Sequence, residues 1–158
     1  MITNNSLDKS FGPVGNAAGV FMFIAGLALI YFSLFGLILI LFGAFVGFTS
    51  SSTLIDYDKK RVKFSNNLFG IIETGKWINI EPNMKIGIKK SNRTWRTYSR
   101  SNRTLDIVSK DFRLILFDSN GKQIMPIKKM DSFDSAKLEL ETLANQLGLV
   151  LVKSQIGH

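Results

Sequence analysis

From Ser10 to Ile55 the chain carries no charged side chain, and most positions are Phe, Leu, Ile, Val, Ala or Gly. A run of that length and apolarity exceeds what the core of a soluble domain needs and marks a membrane segment. Its densest part, residues 14–48, would measure about 50 Å as one straight helix. The hydrocarbon core of a bilayer is about 30 Å thick. A single tilted span would leave many apolar residues in water. Two short spans fit better, over residues 14–31 and 33–48, with the turn near Tyr31-Phe32-Ser33-Leu34. Gly15 and Gly19 are four apart, as are Gly43 and Gly47. In an antiparallel hairpin both small pairs fall at one depth and let the two backbones approach. No ionisable residue lies within the spans, which argues against an ion pathway or proton relay in this chain.

Beyond a polar exit at residues 49–53 the pattern changes to short alternating segments, the period of β-strands. Strand signals fall at 54–57, 61–64, 76–80, 85–89, 105–108, 112–117 and 123–127. Residues 68–72 either continue the second strand or start another. Asp118-Ser119-Asn120-Gly121 reads as a hairpin turn, and Pro126 suits an edge strand. The period then switches. Phe133, Ala136, Leu140, Leu143 and Leu147 recur at three- and four-residue steps, one face of a helix over about 132–147. Asp131 or Ser132 can cap its start and Gly148 its end. The reading has four parts: an N-terminal tail (1–13), a transmembrane hairpin (14–48), a linker (49–53) and a polar domain (54–158). The fold class is a membrane α-helical hairpin plus α+β. Its sheet is bent and antiparallel, or an open barrel, of about seven strands capped by the C-terminal helix.

Two spans, seven strands and a closing helix resemble the membrane-anchored bacterial PH-like proteins. The runs Asn67-Leu68-Phe69-Gly70 and Gly75-Lys76-Trp77 resemble the segment those proteins carry between the second and third strands. The ending Ser132-Phe133-Asp134-Ser135-Ala136 with Leu147-Gly148-Leu149 is similar as well. The resemblance implies a PH-like domain on an inner-membrane hairpin, and most such proteins have no assigned activity. A similar layout occurs in photosystem I assembly factors, which implies that it can serve as a scaffold.

Charge adds orientation. Lys59, Lys60, Arg61 and Lys63 follow the second span, and such clusters stay on the cytoplasmic side. The polar domain and both termini are therefore expected in the cytoplasm, with the protein integral to the inner membrane. Lys9 is the only basic residue ahead of the apolar run, and the run is too long for a signal peptide.

The net charge of +8 is concentrated between Lys85 and Arg103, where seven basic residues stand without an acid. Lys89, Lys90, Arg93, Arg96, Arg100 and Arg103 interleave with Trp95 and Tyr98, and Ser-Asn-Arg-Thr occurs twice, at 91–94 and 101–104. This segment reads as a projecting hairpin. It could dock an acidic membrane protein or complex through residue types that dominate binding hot spots. It could contact anionic phospholipid headgroups. Nucleic acid is the weakest of the binding readings, and a solvated hairpin that binds nothing stays open beside them.

Chemistry is scarce elsewhere. There is no Cys, and His158 is the only His. The lack of Cys removes thiol catalysis and thiolate metal sites, and a single terminal His argues against a Ser–His–Asp arrangement or a His-based metal site. No phosphate-cradling glycine motif occurs. The expectation is a non-enzymatic scaffold or accessory subunit without cofactor or metal, with an anionic-lipid reader as the alternative. Asp56 and Asp58 read as a turn with local charge balance, and Trp77 and Phe112 as core.

Overall fold

The computed structural model describes residues 1–98 and 104–152. In chain order its elements are β1 (Ile2–Lys9), α1 (Gly12–Leu29), α2 (Phe35–Phe48), β2 (Ser50–Asp56), β3 (Arg61–Leu68), β4 (Ile72–Thr74), β5 (Trp77–Asn79), β6 (Lys85–Tyr98), β7 (Thr104–Phe117), β8 (Gln123–Met130), α3 (Phe133–Leu147) and β9 (Val150–Leu151). The protein is α+β, with three helices and two sheets among the described residues. One sheet has the order β1-β2-β3-β4 with β5 also on β3, and the other the order β8-β7-β6-β9. Contacts divide the chain into two units. The first holds Met1–Ser6, Thr53–Phe64 and the described residues from Lys76 on; the second holds Leu7–Ser52 and Ser65–Gly75.

The first unit is built around a conventional apolar core. Ile55 and Val62 meet Ile86 and Ile88 of β6, Leu114 and Leu116 of β7, and Met125 and Ile127 of β8. Ala136, Leu140, Leu143, Ala144 and Leu147 close it from α3. Burying each large side chain contributes about 1.5–3 kcal/mol. The start of α3 is capped by Ser132, whose Oγ accepts from the Ser135 amide at 3.2 Å. Its end is turned by Gly148 in the left-handed region, φ +72°, with the Gly148 amide donating to the Ala144 carbonyl. Both caps fall where the residue types place them. The chain then adds β9 parallel to β6, Lys85 opposite Val150. Pro126 does sit in an edge strand, β8. The β7–β8 register slips between Leu114 and Ile115, beside the position where Pro126 has no N–H to give.

The second unit contains the apolar helices. Gly19 approaches Gly47, Gly26 approaches Ile40, and Gly43 approaches Phe23, so α1 and α2 run antiparallel. The turn covers residues 30–34, where the Phe32 and Ser33 amides both donate to the Leu29 carbonyl at 2.9 Å. Alone among the described helices, α1 is long and apolar enough to cross a membrane by length and composition; α2 is apolar and four residues shorter, 14 against 18.

Three sequence expectations differ from what is found. The strands number nine among the described residues, not about seven. Residues 2–9, read as a tail, form β1, which hydrophobic alternation missed because its inward face is mostly polar: Thr3, Asn5 and Leu7 alternate with exposed positions. The supposed linker at 49–53 is largely the start of β2. Three of its hydroxyls find partners as they leave solvent. Ser51 Oγ donates to the Asp8 carbonyl at 3.3 Å, Ser52 Oγ accepts from Asn67 Nδ2 at 3.1 Å, and Thr53 Oγ1 donates to the Pro126 carbonyl at 2.7 Å.

Candidate functional site

The basic segment lies on one long hairpin. β6 and β7 pair antiparallel without a slip from Lys85 opposite Phe117 to Tyr98 opposite Thr104, fourteen pairs. The inner part is flanked: β8 pairs with β7 only over Phe112–Phe117, and β9 pairs with β6 only at Lys85 and Ile86. From Ser91 outward, paired with residues up to Asp111, the two strands have only each other among the described residues. At about 3.4 Å per residue this two-stranded arm is about 25 Å long. The two strand signals at 105–108 and 112–117 are one strand. The intervening Ser109-Lys110-Asp111 contains no residue that breaks a ladder.

Register distributes the candidate residues. In the backbone register Trp95 stands opposite Ile107 and Arg96 opposite Asp106. Arg93 is opposite Ser109. Strand alternation puts Lys89, Arg93 and Trp95 in one set of positions and Lys90, Arg96 and Tyr98 in the other. The basic positions are thus divided between the two alternating sets of the strand. Arg100 and Arg103 lie outside the described residues, as does His158.

At the root of the arm is a cavity of about 330 Å³. Its walls are Lys89, Lys90, Ser91 and Asn92 of β6, Arg113 and Ile115 of β7, and Gln123 and Pro126 of β8. Three cations and no carboxylate line it among the described residues. Lys89 Nζ donates to Gln123 Oε1 at 3.3 Å. Arg113 is held by Asp111, two residues earlier on the same strand, through Nε to Oδ2 at 2.6 Å. Asp111 is 1% exposed, and its Oδ1 has no hydrogen-bond partner among the described residues. Sequence reasoning named Lys89 and Lys90 but missed Arg113, Asp111 and Gln123. The i, i+2 spacing of Asp111 and Arg113 beside an apolar strand was the available signal. It became meaningful only once β8 brought Gln123 across.

Two further polar clusters belong to the first unit. Asp56 accepts from Arg61 Nε at 3.0 Å and from the Lys59 amide at 3.3 Å. Burial pushes this carboxyl up, but those two bonds and the charges of Arg61 and the chain's amino terminus outweigh it and hold it below the ordinary carboxylate value. Asp58 pairs with that terminus. Trp77 is half-buried rather than core: the Arg61 guanidinium lies 4.5 Å and Lys63 Nζ 6.0 Å from its ring centroid, a cation–π stack. Phe112 does pack on the core, edge-on to Phe133 at 5.6 Å. Among the described residues no three His, Cys, Asp or Glu side chains gather as metal ligands would.

Of the glycines singled out in the helices, Gly19, Gly43 and Gly47 lie in the contact between α1 and α2. Gly15 does not; its nearest neighbour is Phe11, one turn earlier on its own side. Gly26 and Gly36 complete the contact. They were missed because neither has a glycine partner four residues away.

Comparison with protein-family models, with curated proteins and with solved structures gave no match.

Proposed function

We propose that this chain is a non-enzymatic scaffold or accessory subunit of the inner membrane, anchored by α1 and α2 as a two-span hairpin. Its remaining folded part is a cytoplasmic PH-like domain that binds another membrane protein through the β6–β7 arm. The anchor reading draws support from the helices' outer surfaces. Phe21, Ile24, Leu27, Leu41 and Phe42 all face outward and are exposed. In water such a surface far exceeds the few hundred Å² of apolar patch that a soluble monomer normally carries. At about 27 Å and 21 Å the two helices are short for a bilayer core of about 30 Å. The exposed Tyr31, Phe32 and Leu34 of the turn extend the apolar length at one end, and local thinning accommodates the remainder.

The observation that carries the binding role is the unaccompanied arm. A two-stranded ribbon is at best marginal in water. A chain that commits eight residues per strand to one, rich in Arg with Trp95 and Tyr98, keeps it for contact with something else. Gentle detergent purification of the tagged full chain tests this. A stoichiometric membrane partner should co-purify and be lost on charge reversal at Arg93, Arg96, Arg100 and Arg103. Absence of any such partner overturns the reading.

The cation-lined cavity favours a second reading, in which the domain reads anionic headgroups at the cytoplasmic leaflet. Lys89 and Lys90 beside the side-chain donors of Ser91 and Asn92 are the groups that bind phosphate, while Arg113 is already engaged by Asp111. Amine labelling of Lys89 and Lys90 in nanodiscs separates the two. Protection that depends on phosphatidylglycerol favours lipid; protection that depends on the co-purified partner favours the scaffold.

A further inference from the structure

The turn between β3 and β4 is built from the wrong residues for water. Leu68-Phe69-Gly70-Ile71 closes with the Ile71 amide donating to the Leu68 carbonyl at 3.1 Å. Phe69 and Gly70 both have positive φ, +55° and +72°. That backbone is the one a type I′ hairpin turn needs, and Asn-Gly or Asp-Gly normally supplies it. Here a bulky aromatic takes the left-handed position, which L residues other than Asn and Asp seldom adopt. Beyond it Ile71 is 82% and Ile72 55% exposed.

The tip is held firmly at one end of the helix pair, all within the second unit. The Phe69 ring packs edge-on to Phe45 of α2 at 5.5 Å, and Phe45 in turn packs on Phe11 at the head of α1, at 5.4 Å. The Phe69 amide donates to Thr49 Oγ1 at 3.3 Å. Asn67 ties the stem down: its Oδ1 accepts from Ser65 Oγ at 2.9 Å and its Nδ2 donates to Ser52 Oγ. A β-carbon at Gly70 would meet that of Phe48 at 3.4 Å. The exposed isoleucines therefore continue the apolar surface of the helices past their ends, and do not float on a free loop. Glu73 and Thr74 follow directly and restore polarity.

We propose that the β3–β4 turn is a third membrane-contacting element. Phe69, Ile71 and Ile72 enter the boundary between headgroups and acyl chains beside the last turn of α2. Interfacial burial of apolar side chains next to a polar stem is how non-spanning segments bind bilayers. The wedge would fix the depth and rotation of the helix pair, which two short apolar helices do poorly by themselves. This inference rests on the membrane reading of α1 and α2, and the experiment keeps the two apart.

The chain has no cysteine, so single Cys variants can carry one environment-sensitive fluorophore each. Full-length Ile71→Cys, Phe42→Cys and Asn120→Cys are reconstituted in phosphatidylcholine–phosphatidylglycerol vesicles. Quenching is then read with lipids spin-labelled near the headgroup or deep in the acyl chain. Position 42 should be quenched by the deep label and position 120 by neither. Position 71 should be quenched severalfold more than position 120 by the shallow label. If position 71 behaves like position 120 while position 42 is quenched, the wedge is wrong and the anchor stands. If position 42 is not quenched, both fall.

Discussion

The helices α1 and α2 on one side and α3 on the other place the same residue types in opposite ways. In α3 the large side chains Leu140, Leu143 and Leu147 point into the core and the polar ones outward. In α1 and α2 the buried positions are glycines, among them Gly19, Gly26, Gly36, Gly43 and Gly47, while Phe, Leu and Ile cover the outside. Water explains the first arrangement, since removing Leu from it is the main gain. The second fits the membrane anchor proposed above. Where the surroundings are as apolar as the side chains, burying Leu brings little, and what stabilises a helix pair is backbone-to-backbone packing over small residues. On that proposal, the residue type buried in each helix follows from the surroundings the helix is built for.

The strongest way to break this contrast is to put bulk where α1 and α2 touch. A β-carbon at Gly19 would lie 2.3 Å from the Gly47 nitrogen, and one at Gly43 2.4 Å from the Phe23 nitrogen. Backbone cannot yield as a side chain can. Gly19→Leu should separate the helices, at a cost of about 3 kcal/mol or more, and the protein should lose its monodisperse peak on size exclusion in detergent. Gly15→Leu meets only the Phe11 side chain, at 2.9 Å, and should keep the peak. Equal effects would mean that the glycines are not the packing surface.

Truncating large residues sharpens the contrast from the other direction. Leu143→Ala removes a side chain that is only 1% exposed and should cost about 2–5 kcal/mol. Phe42→Ala, on the outer face of α2, should cost less than about 0.5 kcal/mol in detergent despite deleting a larger side chain. Thermal melts of the two variants side by side give the answer. A larger loss from Phe42→Ala would show that the outer face packs against protein rather than lipid.

The smallest effect concerns the polar edge of the first unit. Asp56 has its carboxyl held below the ordinary value. A lowered folded-state pKa stabilises the fold fully above the unfolded value of about 3.9 and loses that contribution as pH falls through the folded value. Asp56→Asn should therefore be less stable than the parent at neutral pH, with the gap closing under acid. Chemical denaturation at about pH 7 and about pH 3 measures it. A gap that widens in acid would reverse the assignment.

Periodicity made α3 legible with its inward face, because a three-and-four apolar spacing in a polar background has one solution. It likewise located the apolar helices and their turn, because forty-odd residues without charge leave few alternatives. Strand signals failed where inward positions are polar. The face of β1 formed by Thr3 and Asn5, and the hydroxyls of Ser52 and Thr53 in β2, carry no hydrophobic alternation to detect. The candidate site was half visible: a basic stretch can be read from spacing, but its split over alternate positions of a ladder cannot.

Composition and spacing alone determined that this chain has an uncharged apolar region, a β-rich remainder and one amphipathic helix near its end, since these follow from nearest-neighbour chemistry. Only the folded chain decided that Arg113 and Gln123 join Lys89 at one cavity, that Gly26 and Gly36 complete the helix contact, and that Phe69 is pinned beside Phe45. Those pairings join positions from 10 to more than 30 residues apart. Their energy comes from packing and hydrogen bonds that no local pattern encodes.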